Sequence, residues 1–106
     1  MPAPTRGEVW LADLGIAAKV RPVLVLSVEY ADADYALITV VPHTTSPRGA
    51  AFEVSVPVRG LKPGAFNVQG IFAVPKPKLF RKLAQLTPEH MAIVETTVRK
   101  WLGLTH

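Results

Sequence analysis

The sequence predicts a mainly β fold of the α+β class, with a single amphipathic helix at its C-terminal end. Ten prolines and seven glycines, nearly all in the first 80 residues, divide that part of the chain into short pieces that suit brief strands joined by turns. After residue 87 the hydrophobic spacing changes to that of a helix. The chain has 106 residues, 49% of them hydrophobic, so we expect one domain with one core.

The first strand is predicted at residues 8–13. Val9 and Leu11 would lie on one face and Trp10 on the other, which is the alternation of a half-buried strand. Residues 15–21 predict a loop, because a glycine and two small alanines there precede a lysine and an arginine.

The second and third strands are separated by a polar turn. Pro22 favours an extended entry into the apolar run at 23–26, which is typical of a strand buried on both faces. After the turn at 29–34, residues 35–41 are rich in β-branched side chains and predict a third strand. We expect Pro42 to end that strand.

Two further strands complete the predicted sheet. A loop at 43–49, dense in hydroxyl groups, precedes a fourth strand at 52–56, and the adjacent Pro57 indicates a sheet edge. Residues 65–74 predict a fifth strand, with Gly70 as a bulge inside it.

The C-terminal segment has the signals of a helix. Thr87 can cap backbone donors, Pro88 suits a first helical turn, and Glu89 suits the positive end of the helix dipole. Gly103 is placed to end the helix. The apolar stripe at helical spacing consists of Met91, Val94, Val98 and Trp101, the last of which we interpret as a core or subunit contact.

Composition excludes several classes of protein. The chain has no cysteine, which excludes a disulfide scaffold, a zinc-finger framework and a thiol nucleophile. No apolar run has the length of a membrane span and the N-terminus does not have the layout of a secretory signal, so a cytoplasmic protein is expected.

Charge points to an anionic partner without identifying one. The net charge is +4, from 12 Lys and Arg against 8 Asp and Glu, and the charges balance up to Val74. The whole excess therefore lies after Val74, where it fits either a solvated face or a surface that follows phosphates.

Metal and nucleotide motifs are missing. The three histidines, His43, His90 and His106, lie far apart, and no carboxylate stands at ligand spacing from them, so no metal site is expected. The sequence also has no glycine-rich phosphate loop, nucleophile elbow or HExxH helix, which excludes most enzyme classes.

Two loops carry the remaining chemistry, at 19–22 and 43–46. The guanidinium of Arg21 stays charged and suits a phosphate whose negative charge rises in a transition state. The alternative is that Arg21 pairs with Glu8 or Asp13 and only orders its loop. For the hydroxyl groups of the second loop, the alternative is that they satisfy turn backbone.

Five segments of the chain carry a family pattern in order. They are RGEVW at 6–10, RPVLVL at 21–26, VPHTTS at 41–46, GL at 60–61 and VQ at 68–69, with 79–86 leading into the helix. Together they resemble the MazF/PemK toxins over nearly the whole chain.

The resemblance implies a fold, an activity and partners. The implied fold is a single domain over residues 1–106, an SH3-like small β-barrel of about five to seven short strands with a C-terminal helix. The implied activity is sequence-specific endoribonuclease cleavage of single-stranded mRNA, with no metal or other cofactor. In this chemistry the ribose 2′-hydroxyl attacks the adjacent phosphate and leaves a 2′,3′-cyclic phosphate and a 5′-hydroxyl. The implied partners are RNA, a cognate antitoxin and a second copy of the chain.

The resemblance also assigns site residues. Arg21 and Thr44 match the family's catalytic arginine and hydroxyl residue, and Arg21 would stabilise the pentacovalent phosphate. Support for catalysis is assigned to Thr45, Ser46 and His43, although for His43 a structural role is favoured. Apart from the resemblance, the basic side chains of Lys19, Arg48, Lys76 and Lys78 are predicted to contact RNA phosphates, and Gln69 of the VQ segment is also predicted to bind RNA.

Two other functions remain open at this stage. One is a binding toxin of the same barrel fold that poisons DNA gyrase through its C-terminal helix. The other is a barrel that only binds a protein partner. Inhibition of supercoiling without RNA cleavage would favour the first of these.

Overall fold

The structure is a computed structural model that describes residues 3–15 and 20–104. Within these residues it contains seven strands, two short 3₁₀ helices and one α-helix. The strands are β1 Glu8–Asp13, β2 Val20–Val25, β3 Leu37–Thr44, β4 Glu53–Val54, β5 Ala65–Asn67, β6 Phe72–Pro75 and β7 Leu79–Gln85. The α-helix, α1, is Pro88–Leu102, and the 3₁₀ helices are Val68–Gly70 and Lys76–Lys78.

The strands form one antiparallel sheet in the order β4-β5-β3-β2-β1-β7, with β6 also paired to β3. The predicted mainly β fold with a C-terminal helix is therefore confirmed. Among the described strands, β4 and β7 end this order without pairing to one another, so the sheet is barrel-like rather than closed. At this end of the sheet, β4 and the 3₁₀ helix Val68–Gly70 contact α1.

Apolar side chains cover both faces of the sheet. Val9 and Trp10 are adjacent in β1 and both are buried, so the prediction that β1 is half-buried was wrong. One cluster joins the sheet to the helix and contains Val9, Leu24, Val41, Val54, Phe66, Val68, Ala84, Leu86, Met91 and Val94. The second contains Trp10, Ala12, Val23, Val25, Ile38, Val40, Val74 and Leu79. Two clusters therefore replace the single expected core, and the first of them includes Met91 and Val94 of α1.

Pro42 does not end β3. The strand continues through His43 to Thr44, and Pro42 pairs with Val23 on β2. On the other side of β3, pairing with β6 stops at Val40 and pairing with β5 begins at His43. Pro42 therefore lies where neither β5 nor β6 pairs with β3. Proline is tolerated there because neither strand needs a hydrogen bond from its backbone nitrogen.

The fifth predicted strand is interrupted. The 3₁₀ helix Val68–Gly70 separates β5 from β6, and it contains Gly70, which was predicted to be a bulge. A Cβ atom at Gly70 would lie 2.9 Å from Cγ of Pro42, so the turn packs closely against the proline of β3. The fourth strand is also shorter than predicted, since only Glu53–Val54 pairs with β5.

The C-terminal helix has the predicted ends. The Thr87 hydroxyl accepts a hydrogen bond from the His90 N–H at 3.2 Å, and Gly103 adopts a left-handed conformation with a φ of 72°. Met91 and Val94 are buried, whereas Trp101 is 41% exposed. Within the described residues, no helix combines the length and the apolar character needed to cross a membrane.

Glu8 ties β1 to the neighbouring chain segments. Its Oε1 accepts hydrogen bonds from the Thr5 N–H at 2.8 Å and from Trp10 Nε1 at 3.0 Å, and its Oε2 lies 3.0 Å from Lys82 Nζ. Burial acts to raise the pKa of the Glu8 carboxyl, but these hydrogen bonds and the charge of Lys82 outweigh it. The pKa therefore lies below its ordinary value of 4.5.

We expect Glu8→Gln to destabilise the protein by about 1–3 kcal/mol at neutral pH, because hydrogen bonds to the carboxylate and its pairing with Lys82 are lost. A lowered pKa gives stability that is present above the ordinary value of 4.5 and is lost as the pH falls through the pKa of the folded state. The difference from wild type should therefore shrink in strongly acidic buffer. Urea unfolding over a pH series measures it, with Asp32→Asn in an exposed turn as the control for loss of charge.

Candidate functional site

A cavity of about 610 Å³ opens beside the ends of β2, β3 and β5. We call it the Arg21 cavity, and it is lined by Arg21, Pro42, His43, Thr44, Ser46, Arg48, Ala50, Glu53, Asn67 and Gln69. It brings together four of the residues that sequence analysis assigned to catalysis or its support, and two that it assigned to RNA binding.

Strand register explains why the two predicted catalytic residues meet. Val23 on β2 pairs with Pro42 on β3 in an antiparallel ladder. Continuing this register by two residues places Arg21 opposite Thr44, on the same face of the sheet. Arg21 therefore lies within β2 rather than in the loop where it was predicted.

The Arg21 side chain is exposed and does not pair with the acids proposed as alternatives. Among the described residues, the salt bridges are Lys82 with Glu8 and Arg6 with Glu95. The carboxylate of Asp13 accepts a hydrogen bond from the Gly15 N–H at 3.0 Å instead. The Arg21 guanidinium is thus available to an anion in the cavity.

Thr44 satisfies turn backbone and also faces the cavity. Its Oγ1 accepts a hydrogen bond from the Ser46 N–H at 3.0 Å. This is the contact expected if the hydroxyl groups of the loop satisfy turn backbone. A hydroxyl has one donor and two acceptor sites, so Thr44 can still donate its proton to a bound group. The same hydrogen bond that orders the turn therefore leaves the donor of Thr44 for a ligand.

Gly64 permits the close approach of β5 to Thr44. A Cβ atom at this position would lie 2.0 Å from the Thr44 carbonyl oxygen and 2.8 Å from Cε1 of His43. Glycine is thus required because the neighbouring atoms belong mainly to backbone that cannot move aside. This contact fixes the end of β3 at the wall of the cavity.

His43 is a buried imidazole at the base of the cavity. It is only 4% exposed, and its ring packs against Phe66 with centroids 4.9 Å apart and planes at 68°. Its Nδ1 atom is buried without a hydrogen-bond partner. Burial lowers the pKa of His43 below its ordinary value, so the ring is neutral at physiological pH.

Two lining residues, Glu53 and Asn67, were not predicted from the sequence, and they lie opposite one another where β4 pairs with β5. Glu53 stands in the alternating pattern of the fourth strand and Asn67 lies two residues before Gln69, but neither belongs to a motif. Only the pairing of two strands distant in sequence brings them to the Arg21 cavity.

The remaining predicted residues lie elsewhere. Thr45 lines a neighbouring groove of about 830 Å³ together with Pro47 and residues 55–59 and 61–64. Lys76 and Lys78 are exposed in the second 3₁₀ helix, and Lys76 borders a smaller cavity of about 190 Å³. Lys19 lies outside the described residues.

The Arg21 cavity suits an anion better than a metal ion. Its lining residues include two arginines and one carboxylate, that of Glu53. The oxygens of this carboxylate accept hydrogen bonds from backbone N–H groups. Within residues 3–15 and 20–104, no group of three or more His, Cys, Asp or Glu side chains is placed to hold a metal.

Comparisons with known proteins agree with the resemblance in the sequence. The family model described as PemK-like, MazF-like toxin of type II toxin–antitoxin system matches residues 5–102. A solved endoribonuclease from mycobacterial species, in complex with its cognate antitoxin, is 28% identical, with a TM-score of 0.84 over 98% of this chain and 99% of that one. A MazE–MazF structure (Form-II) from Deinococcus radiodurans is 25% identical, with a TM-score of 0.81 over 99% and 100%.

A third similar structure is the Mycobacterium tuberculosis toxin MazF-mt6. It is 28% identical, with a TM-score of 0.79 over 93% of this chain and 99% of that chain. The resemblance predicted from the five sequence segments is confirmed by these matches.

We expect Gly64→Ala to destabilise the fold by about 1–3 kcal/mol, because the added methyl group forces β5 away from the Thr44 carbonyl. Gly70→Ala is the matched comparison, since its methyl group would meet the side chain of Pro42 at 2.9 Å and should cost less. Urea midpoints compare the two variants. Equal midpoints would contradict the importance of the Gly64 contact.

We expect His43→Leu to be at least as stable as wild type at neutral pH, because it removes the unpartnered buried Nδ1. Wild type should lose stability as the pH falls below 6.5, since the unfolded chain binds a proton there that the folded His43 resists. The leucine variant should lack this loss. Thermal unfolding between neutral and mildly acidic pH measures the difference, with His90→Asn as the control.

Proposed function

The chain belongs to the PemK-like, MazF-like toxins of type II toxin–antitoxin systems, and we propose that it is a sequence-specific endoribonuclease that cleaves single-stranded mRNA. The proposal covers residues 1–106 as one toxin domain that acts in the cytoplasm as a homodimer. The proposed reaction requires no metal or other cofactor. The similar structures described as endoribonucleases support this activity.

The observation that carries the proposal is that Arg21 and Thr44 line one cavity with the Arg21 guanidinium unengaged by the described acids. A fixed guanidinium and a nearby hydroxyl are the groups that a phosphate of increasing charge requires. An arginine sealed in an ion pair would not serve this role.

In the proposed reaction, the substrate supplies its own nucleophile. The ribose 2′-oxygen forms a bond to the adjacent phosphorus and loses its proton, while the bond from phosphorus to the 5′-oxygen breaks and that oxygen gains a proton. The products are a 2′,3′-cyclic phosphate and a 5′-hydroxyl. DNA should be spared because it has no 2′-hydroxyl.

The protein groups have separate roles in this scheme. Arg21 stabilises the charge on the pentacovalent phosphate, and Thr44 donates a hydrogen bond to a phosphate or ribose oxygen. Ser46 supports Thr44 through its N–H, whereas His43, whose Nδ1 is buried, supports the site by packing against Phe66. Thr45 borders the adjoining groove and acts, in this proposal, only through the turn that it shares with Thr44.

The substrate strand would extend beyond the cavity over basic side chains. Arg48 and Gln69 contact RNA within the Arg21 cavity, and Lys19, Lys76 and Lys78 are proposed to contact phosphates further along the strand. Such contacts position the strand and carry little sequence information themselves.

The cognate antitoxin is proposed to neutralise the toxin by covering the Arg21 cavity. Two of the similar structures contain an antitoxin, namely the mycobacterial endoribonuclease complex and the MazE–MazF complex. An acidic segment would complement the two arginines of the cavity. The matches named above favour this function over gyrase poisoning, which none of their descriptions supports.

The test is cleavage of a long RNA by the purified protein in the presence of a metal chelator. We expect discrete fragments that end in cyclic phosphate, and a loss of about 100–1,000-fold in rate for Arg21→Ala. Thr44→Val, which keeps the branched shape, should lose less. Arg99→Ala on α1, which does not line the Arg21 cavity, is the control that should leave the rate unchanged.

Retained cleavage in Arg21→Ala would remove this residue from the reaction. A DNA strand of the same sequence should remain intact. An absence of RNA cleavage by wild type, together with inhibition of gyrase supercoiling, would replace the proposed function with the binding alternative.

A further inference from the structure

The loop between β3 and β4 carries Arg48 from the hydroxyl turn to the Arg21 cavity. It has no strand or helix of its own, and residues 45–51 are all exposed. An exposed loop of this kind does not by itself fix the position of a long side chain. Some other contact must therefore hold Arg48 at the cavity if it is to bind a phosphate there.

The Glu53 carboxylate supplies that contact. Its two oxygens each accept a hydrogen bond from the Arg48 N–H at 3.0 Å, and Oε1 also accepts from the Ala50 N–H at 2.9 Å. The Glu53 N–H in turn donates to the Ala50 carbonyl at 3.2 Å. The backbone donors of Arg48 and Ala50 lower the pKa of Glu53, so it stays ionised and keeps these hydrogen bonds at physiological pH.

Glu53 is itself tied to the same strand that fixes Thr44. It pairs with Asn67 on β5, and β5 pairs with β3 through Ala65 opposite Thr44. The positions of Arg48 and Thr44 are therefore both set relative to β5. A change at Glu53 would therefore release Arg48 without changing the position of Thr44.

The carboxylate holds the backbone of Arg48 and leaves its side chain unpaired. The salt bridges among the described residues do not include the Arg48 guanidinium, although its charge acts on Glu53 and helps to lower the pKa of that carboxyl. Because its oxygens are occupied by N–H donors, Glu53 also repels a phosphate less than a free carboxylate would. This explains how an acid can stand in the wall of a cavity that suits anions.

We propose that Glu53 is a positioning residue that holds the 48–50 turn so that the Arg48 guanidinium binds an RNA phosphate in the Arg21 cavity. The inference rests on the proposed ribonuclease function. It assigns to Glu53 an effect on RNA affinity through Arg48 rather than a part in bond cleavage.

The first test uses trypsin cleavage to measure, in the absence of RNA, how firmly the 48–50 turn is held. Trypsin can cleave after Arg48 and after Arg59, and each is followed by glycine in an exposed segment. In the intact protein, Glu53→Ala should accelerate cleavage after Arg48 at least several-fold relative to cleavage after Arg59, and Glu53→Gln should have a smaller effect. Asp32→Asn, which removes a charge from another exposed turn, should leave the ratio of the two cleavages unchanged. An unchanged ratio in Glu53→Ala would overturn the inference, because Glu53 would then have no specific hold on this turn.

The second test separates positioning from general stability by RNA cleavage kinetics. Glu53→Ala and Arg48→Ala should each raise KM by about tenfold with kcat little changed. The double variant should be no worse than Arg48→Ala alone, because Glu53 acts through that residue. Additive effects, or a loss in kcat that matches the loss in thermal stability, would overturn the inference.

The two proposals fail differently. Loss of cleavage in Arg21→Ala together with a normal KM in Glu53→Ala would leave the ribonuclease intact and reject the role of Glu53. If wild type cleaves no RNA, both proposals are rejected, and a trypsin result in favour of the turn would then show only a structural hydrogen bond.

Discussion

The close packing of the Gly64 backbone against the Thr44 carbonyl is the constraint on which the candidate site depends. It allows β5 to pair with the end of β3, so that Thr44 lies opposite Ala65 and at the edge of the Arg21 cavity. The same β5 pairs with β4 and so determines where Glu53 lies. A side chain at Gly64 would separate the strands, and the hydroxyl turn would move away from the register that β2 and β3 share.

Two acids of the sheet, Glu8 and Glu53, are engaged by donors other than the predicted catalytic arginine. Glu8 accepts hydrogen bonds from Thr5 and Trp10 and pairs with Lys82, and Glu53 accepts hydrogen bonds from the Arg48 and Ala50 N–H groups. Arg21 therefore keeps its charge for a ligand, which the sequence alone could not establish because Glu8 stands close enough along the chain to be its partner.

The sequence predicted what depends on local pattern. The helix with its Thr87 cap and the buried part of β2 follow from spacing and capping chemistry, and the family pattern singled out Arg21 and Thr44, which line one cavity. The predictions failed where the structure depends on pairing with another strand. Pro42 remains in β3 because β5 and β6 leave an interval opposite it, and the roles of Glu53 and Asn67 exist only through the pairing of β4 with β5. A single sequence without those pairings contains no signal for either.

The proposed chemistry explains why so small a domain can act on RNA. Because the ribose supplies the attacking oxygen, the protein does not need to hold a separate nucleophile or activate a water molecule. It must place one fixed positive charge and one hydroxyl donor beside a phosphate, and hold the strand in line. Paired strands meet that requirement, since the β2–β3 register aligns Arg21 with Thr44. Much of the rest of the sheet contributes side chains to the two apolar clusters. Sequence preference would then be decided by side chains on loops around the cavity, which can vary without disturbing the strands that carry the reaction.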